Sequence, residues 1–216
     1  MQRLDAAAIE TLGIPRLLLM EHAGLAVARA AHTHASDPAA PVAVCCGTGF
    51  NGGDGLSAAR HLQAWGHPLR VLLAGPRGRL REEPAVYAAI LERLGVVIQE
   101  CTEPAHAIQA ERWLSESGVV IDALLGIGTR GLVRDPAAWI IRCINASGRP
   151  VIAADVPSGV DADTGVVQGV AVRATATVTF GLPKQGCFLH DGPAHTGSLI
   201  VDSITIPPTL LEAATR

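Results

Sequence analysis

Asn51, Asp122 and Asp155 each follow closely on a short apolar run of the sequence, and Ser158 comes three residues after the last of them. In open parallel sheets ligands bind beyond the carboxyl ends of the strands, so polar residues in these places are the first candidates for a site. A single aspartate after a strand is often only a helix cap or a turn former. Three such residues, each next to a loop that contains glycine, favour a shared site over coincidence.

Residues 42–56 combine an apolar strand, a glycine-rich turn and the start of a helix. We expect the five glycines of residues 47–55 to turn the backbone with positive φ and to bring its N–H groups close to a ligand. The following helix, beginning at Leu56, attracts anions through the unpaired N–H groups of its first turn and through its dipole. A phosphate-bearing ligand is therefore predicted, with Asp54 beside it. The alternative is a tight turn without a ligand.

The glycine-rich turn matches two nucleotide-binding motifs only in part. Gly47, Gly49 and Gly52 have the spacing of the dinucleotide fingerprint, which also requires an acidic residue about 20 positions on, at the end of the second strand. The predicted second strand ends at Ala74 and is followed by Gly-Pro-Arg-Gly-Arg, without a carboxylate. A Walker A loop requires Lys after its last glycine, and Gly53 stands there instead. These departures disfavour the alternative of an ordinary nucleotide-dependent oxidoreductase.

Asn51, Asp122 and Ser158 carry amide, carboxylate and hydroxyl oxygens, which are hard ligands unsuited to zinc. They are too few for Mg²⁺ or Ca²⁺ unless water or substrate completes the shell, whereas a weakly charged cation helped by backbone carbonyls fits. Lys184, shortly after a further apolar run, is either a member of the same site or a solvated loop charge. Arg130 is predicted to clamp a phosphate, with a place on a mobile loop as the alternative.

The composition is that of a globular protein without a strongly charged interaction surface. The chain has 216 residues, of which 49% are hydrophobic and 17% charged, so residues 1–216 are expected to form one domain. A net charge of -3 and the lack of a basic cluster argue against nucleic acid and anionic membranes as partners. No apolar run reaches the roughly 20 residues of a membrane span, and no signal peptide is recognisable. Five cysteines without a C-x-x-C pair suit reduced thiols, so we expect a soluble, cytoplasmic protein.

The elements that must position these residues alternate regularly along the chain. Apolar periodicity predicts helices at residues 4–12, 17–35, from 56 onward, 82–94, 105–117 and 136–146. Short apolar runs predict strands from Val42 and at residues 69–74, 96–99, 119–123, 151–154, 176–180 and 198–201. Strands separated by helices of this length imply parallel crossovers, so we predict an α/β sheet with helices on both faces.

Longer motifs occur in a fixed order along nearly the whole chain. They lie at residues 13–15, 19–24, 47–55, 60–62, 121–128, 154–159, 163–165, 177–184 and 197–199. In this ordered set the chain resembles the NAD(P)H-hydrate epimerases, the YjeF N-terminal domain family. The resemblance implies a three-layer α/β/α, Rossmann-like fold with a largely parallel central sheet.

The resemblance also implies an activity, the interconversion of the R and S forms of NADH or NADPH that have been hydrated on the nicotinamide ring. The positions that match the family's substrate contacts are Phe50, Asn51, Gly52, Gly53, Asp54, Gly126, Ile127, Gly128, Thr129, Arg130, Gly131, Leu132 and Asp155. The same match implies that Asn51, Asp122 and Ser158 hold a potassium ion.

Given this activity, Asp155 is predicted to give and take the proton at the hydrated carbon, with Lys184 as the reserve acid. Asp54 and the glycine amides are predicted to hold ribose and phosphates. Phe50 stands where the family usually has Asn, which weakens substrate binding if that position acts through its side chain.

The resemblance bears on partners as well. We expect a homodimer, and a separate NAD(P)H-hydrate dehydratase that acts on the product, because the dehydratase domain often fused to this family is absent from the sequence. A binding or scaffold protein that uses the fold without catalysis is the alternative. Loss of the acids at the strand ends would mark such a protein, and here those acids are present.

Overall fold

A parallel sheet forms the centre of the computed structural model, which describes residue 4 and residues 6–214. Within these residues seven strands pair in the order β3-β2-β1-β4-β5-β6-β7, and every pairing is parallel. The strands are β1 Val42–Cys46, β2 Leu69–Leu73, β3 Ile98–Glu100, β4 Val119–Ala123, β5 Val151–Ala154, β6 Ala176–Phe180 and β7 Ser198–Asp202. The largely parallel sheet predicted from the sequence is confirmed.

Helices connect most of these strands. They are α1 Arg16–His34, α2 Phe50–Ala64, α3 Glu82–Arg93, α4 His106–Ser115, α5 Ala137–Ala146, α6 Gly192–Thr196 and α7 Pro208–Ala214. A short π-helix lies at Ala7–Thr11, and 3₁₀ turns lie at Arg77–Arg79 and Gln185–Cys187. The helix expected at residues 4–12 includes Asp5, which lies outside the described residues. None of the helices in the described part of the chain combines the length and the hydropathy that crossing a membrane requires.

Helices cover both faces of the sheet, because strand side chains alternate between two apolar clusters. In β1, Val44 packs in the cluster that contains α1, α2 and α3, whereas the neighbouring Cys45 packs in the cluster that contains α4 and α5. All five residues of β1 are buried, as expected for a central strand of a parallel sheet. The three-layer α/β/α, Rossmann-like fold is thereby confirmed. That residues 1–216 form one domain stays a prediction.

The glycine-rich segment after β1 differs from the prediction. The helix α2 begins at Phe50, well before Leu56, and none of the five glycines of residues 47–55 has a positive φ. The prediction of a left-handed glycine turn is therefore wrong. Close approach of neighbouring backbone explains the glycines instead: a Cβ on Gly47 would overlap the carbonyl oxygen of Leu124, and a Cβ on Gly52 would overlap that of Gly47.

The strand order reverses between β1 and β4. After β1 the chain builds outward through β2 and β3, then returns to add β4 on the opposite side of β1. The loops that follow β1 and β4 consequently leave the sheet in opposite directions and open a crevice between them, which is where ligands bind in folds of this kind. The fold thus places the loops after β1, β4 and β5 around one edge of the sheet.

Candidate functional site

A cleft of about 620 Å³ opens at the carboxyl ends of β1, β4 and β5. Its volume lies within the range of small-molecule sites, roughly 300–1,000 Å³. Of the predicted substrate residues, those that line it are Phe50, Asn51, Asp54, Gly126, Ile127, Gly128, Thr129 and Asp155. Residues from three separate strand ends, which the sequence presents far apart, therefore face one space.

The remaining predicted substrate residues lie away from the lining of the cleft. They are Gly52, Gly53, Arg130, Gly131 and Leu132. The two glycines are buried in the first turns of α2, where they allow close packing. Arg130 is exposed and pairs with two carboxylates, at 3.7 Å from Asp161 and 3.1 Å from Asp163. In this arrangement Arg130 is engaged outside the cleft, in contrast to the phosphate clamp expected from the sequence.

Asp155 and Lys184 form a buried ion pair at the end of the cleft next to β5 and β6. Oδ1 of Asp155 accepts hydrogen bonds from Nζ of Lys184 and from the backbone N–H of Phe180, the latter at 3.2 Å. Nζ of Lys184 also donates to the carbonyl oxygen of Phe180 at 2.7 Å. Asp155 is 7% exposed and lines the cleft, whereas Lys184 is 6% exposed and does not. Lys184 therefore lies behind the lining of the cleft and contacts two lining residues, Asp155 and Phe180.

The backbone of Asp155 is held in the left-handed region, with φ of 69°. Its N–H donates to the carbonyl oxygen of Val178 at 2.7 Å, which fixes the turn that follows β5. A non-glycine residue in this conformation destabilises the fold by roughly 1–2 kcal/mol, so contacts with the surrounding structure must hold it there. Residues strained in this way cluster at functional sites, and here the left-handed backbone holds an acid against the cleft.

Asn51, Asp122 and Ser158 belong to one hydrogen-bond network around the backbone of Leu125. Ser158 donates its hydroxyl to Oδ1 of Asp122 at 2.6 Å and its backbone N–H to Oδ2 at 2.8 Å. The N–H of Leu125 donates to Oγ of Ser158 at 2.9 Å, and Nδ2 of Asn51 donates to the carbonyl oxygen of Leu125 at 3.1 Å. The structure therefore brings together the three residues that were predicted from the sequence to bind a cation.

Asp122 is a buried carboxyl group without a cationic side chain beside it among the described residues. Burial raises the pKa of Asp122 from its ordinary value of 3.8 to about 6, although the hydrogen bonds from Ser158 and Leu124 act in the opposite direction. An ionised carboxylate in such a place needs a counter-charge, because transferring a bare charge from water to a protein interior is costly.

Thiol chemistry has no support at this site. All five cysteines are free and buried. Burial is the main cause that raises the pKa of the Cys101 and Cys143 thiols to about 11 and that of Cys45 and Cys46 further still. Since the thiolate is the reactive form, these cysteines act as small apolar residues of the core.

Arg16 and Arg81 line the cleft and were missed in the sequence analysis. The guanidinium carbon of each lies 4.6 Å from the centroid of the Phe50 ring. Arg16 opens α1 and Arg81 precedes α3, so they come from separate parts of the chain. Only the fold reveals that both reach Phe50, because neither residue belongs to a recognisable motif.

Comparison with known proteins gives a family model and close relatives. The model of the YjeF-related protein N-terminus matches residues 16–186. An NAD(P)H-hydrate epimerase of Limosilactobacillus fermentum is 40% identical over 202 residues, which are 93% of this chain and 92% of that protein. An NAD(P)H-hydrate epimerase of Rhodopirellula baltica is 36% identical over 210 residues, which are 97% of this chain and 84% of that protein.

Longer relatives and a solved structure complete the comparison. A bifunctional NAD(P)H-hydrate repair enzyme of Pyrobaculum aerophilum is 44% identical over 201 residues, which are 92% of this chain but only 39% of that protein. The chain thus spans about two fifths of the length of such bifunctional relatives. The crystal structure of the yeast protein ynu0, YNL200c, superposes with a TM-score of 0.82 at 23% identity and covers 97% of this chain and 88% of that one. This likeness shows the fold.

Proposed function

Because the chain belongs to the YjeF-related protein N-terminus family, we propose that it is an NAD(P)H-hydrate epimerase, an isomerase that interconverts the R and S forms of hydrated NADH or NADPH. The names of the relatives that align over most of their own length support this activity. The single structural observation that carries it is Asp155, a buried acid in a left-handed backbone conformation that lines the cleft and pairs with Lys184.

The reaction needs one group that gives a proton and then takes one back. The hydrated carbon of the substrate carries a hydroxyl group and adjoins the ring nitrogen. When an acid protonates that hydroxyl, the nitrogen lone pair forms a C=N bond and the C–O bond breaks, which releases water and leaves a planar iminium. Water then adds to the opposite face while the same group accepts its proton. Atoms and charge balance, and the product is the other epimer.

Asp155 is the group assigned to this proton transfer. The hydrogen bonds from Lys184 and Phe180 both reach Oδ1, so Oδ2 is the oxygen assigned to exchange the proton with the substrate. Lys184 is a positioning residue that orients the carboxyl group and stabilises the carboxylate. The ion pair of the structure corresponds to the state after Asp155 has given its proton, and the proton returned by the adding water restores the protonated acid. The backbone turn at Asp155 fixes the same oxygen relative to the cleft.

The start of α2 is assigned to the phosphates and ribose of the substrate. Gly49 precedes the helix, and Phe50 and Asn51 form its first positions at the lining of the cleft. Unpaired N–H groups at this helix start, together with the helix dipole, favour a pyrophosphate. Asp54, one turn further, lines the same wall and is placed to accept hydrogen bonds from ribose hydroxyls.

A potassium ion fits beside Asp122. Asp122, Ser158 and the carbonyl of Leu125 offer the oxygen atoms that hard cations prefer, and the buried carboxylate lacks a cationic side chain among the described residues. Asn51 would present Oδ1 after a half-turn of its amide group. Such an ion would supply the counter-charge of Asp122 and tie together the loops that follow β1, β4 and β5.

The enzyme works with a dehydratase and with a second copy of itself, in the cytoplasm. A dehydratase consumes the product, which fits the description of longer relatives as bifunctional. The chain forms a homodimer in the cytoplasm, and within the described residues the edge strand β7 offers unpaired backbone groups with which a second copy pairs. Light scattering coupled to size-exclusion chromatography tests the dimer, and a monomer at all concentrations would contradict it.

Chromatography of the two epimers tests the proposed activity. One purified epimer of NADPH hydrate is incubated with the protein, and formation of the other is followed against a protein-free blank, with and without potassium. We expect conversion well above the blank. Conversion that stays at the blank rate, with protein whose fold is verified by circular dichroism, would contradict the proposed function.

A further inference from the structure

Two arginine side chains lie against the ring of Phe50 at the mouth of the cleft. Arg16 and Arg81 each place the guanidinium carbon 4.6 Å from the centroid of its ring, so the two carbons are at most twice that distance apart. Both arginines line the cleft. Contact with an aromatic face restricts a flexible guanidinium group and contributes about 0.5–1 kcal/mol at exposed sites. The pair is therefore a pre-ordered cationic surface facing the substrate space.

The two arginines lie on the β1–β2 side of the cleft. Ala74, directly after β2, lines the cleft, and the backbone N–H of Arg81 donates to the carbonyl oxygen of Thr48 in the loop after β1 at 3.4 Å. Asp155 follows β5, which is separated from β2 by β1 and β4. Neighbouring strands lie about 4.8 Å apart, so β2 and β5 are on the order of 14 Å apart. An extended dinucleotide can span this distance.

The end of β2 has the chemistry of a site for a 2′-phosphate. In dinucleotide-binding α/β folds this strand end carries an acid that binds the 2′-hydroxyl of NAD, or an arginine nearby accommodates the 2′-phosphate of NADP. Here Ala74 and Gly75 follow β2, and the acid beside this strand end, Glu100 of β3, already accepts a hydrogen bond from the backbone N–H of Arg77 at 3.1 Å. Arg81 forms no ion pair with a carboxylate in residues 6–214, and Arg16 forms only an exposed one with Glu83 at 3.4 Å. The guanidinium group of Arg81 is thus open to an anionic ligand, and that of Arg16 would add such a ligand to an exposed pair with Glu83.

We propose that Arg16 and Arg81, ordered by Phe50, bind the 2′-phosphate of the substrate and make the enzyme select NADPH hydrate over NADH hydrate. The inference rests on the proposed epimerase function, because it assumes that the nicotinamide end of the substrate lies at Asp155. A phosphate at this place gains charge-assisted hydrogen bonds that a 2′-hydroxyl lacks. Phe50 serves as the support for the two cations.

Kinetics with both hydrates test the proposal. We expect wild-type kcat/KM to be at least about 10-fold higher for NADPH hydrate than for NADH hydrate, since one charge-assisted hydrogen bond corresponds to roughly that factor. Arg81→Gln and Arg16→Gln are each expected to lower kcat/KM for NADPH hydrate by about 10-fold, mainly through KM, with less than about a 2-fold change for NADH hydrate. Arg79→Gln is the matched control, because it removes the same charge two residues from Arg81, outside the lining of the cleft.

Direct binding separates this inference from the proposed activity. Calorimetric titration of wild type and Arg81→Gln with NADP⁺ and NAD⁺ measures the 2′-phosphate contribution without turnover. We expect wild type to bind NADP⁺ more tightly than NAD⁺. This preference should shrink in Arg81→Gln and in Phe50→Leu, and it should weaken as salt is added.

Equal kcat/KM for the two hydrates and equal affinity for NADP⁺ and NAD⁺ would overturn the inference while leaving the epimerase proposal intact. Absence of epimerisation with either hydrate would overturn the epimerase proposal, and the NADP⁺ titration would still decide on the phosphate site.

Discussion

Lys184 donates from Nζ both to Oδ1 of Asp155 and to the carbonyl oxygen of Phe180, and both charged side chains are buried. The pair joins the loop after β5 to the loop after β6, so one interaction serves the structure and the proposed chemistry. A buried pair of this kind is costly to break, because removal of one partner leaves an uncompensated charge in the interior.

Removal of one member of this pair is expected to destabilise the fold. Asp155→Asn leaves the ammonium of Lys184 buried without a counter-charge, and the free energy of unfolding should fall by about 3 kcal/mol. The double variant Asp155→Asn with Lys184→Met removes both charges and should recover most of that loss. Denaturation in urea measures all three proteins. A single variant as stable as wild type would show that Lys184 finds solvent when its partner is removed.

Gly47→Ala is expected to lower the free energy of unfolding by about 2 kcal/mol or more, since an added methyl group would overlap the carbonyl oxygen of Leu124 and push β1 and β4 apart. Gly78→Ala is the control, because a Cβ there meets open space at a backbone φ that alanine adopts, and its effect should stay within about 1 kcal/mol. Equal stability of the two variants would contradict the close-packing explanation of the glycine-rich segment.

The buried Asp122 is expected to make the free energy of unfolding depend on pH in buffers without alkali cations. Its pKa rises from 3.8 to about 6 on folding, so the folded state binds the proton more tightly than the unfolded chain does. The corresponding stability is fully present below about pH 4 and is lost as the pH rises through 6, with a total of about 3 kcal/mol. Denaturation of wild type and Asp122→Asn between pH 4 and 8 isolates this contribution as the difference between them. A difference that does not change with pH would argue against a buried titrating carboxyl group.

Potassium should reverse this loss. The proposed ion compensates the ionised Asp122, so added potassium is expected to raise the melting temperature by several degrees at pH 8 and much less at pH 5, where the carboxyl group is protonated. Tetramethylammonium at equal ionic strength is the control for screening, and Asp122→Asn should abolish the difference between the two salts. Equal melting temperatures in both salts at pH 8 would remove potassium from the account.

The positions of Asp122 and Asp155 could be predicted from sequence because each ends a short apolar run, and parallel strands bring their carboxyl ends to the same edge of a sheet. The alternation of strands and helices likewise determined the three layers. Both inferences use only the order of elements along the chain. They needed no knowledge of which atoms meet.

The contacts between distant segments could not be predicted in this way. On its own the glycine-rich segment predicts a left-handed turn. Only the position of Leu124, in the loop after β4, shows that Gly47 is required because there is no room for a Cβ. Arg81 contacts Phe50 in the lining of the cleft, whereas Arg130, the arginine singled out from sequence, pairs with carboxylates outside it. A side chain's partners depend on the path of loops, and the sequence pattern does not contain that path.

The most direct test of the central claim is the initial rate at which one purified epimer of NADPH hydrate becomes the other, measured for wild type, Asp155→Asn and the double variant Asp155→Asn with Lys184→Met. The double variant separates loss of chemistry from loss of fold. If Asp155 exchanges the proton, both variants lose at least about 100-fold in kcat while the double variant remains folded. A folded variant that lacks Asp155 and still epimerises at a rate close to that of wild type would contradict the account.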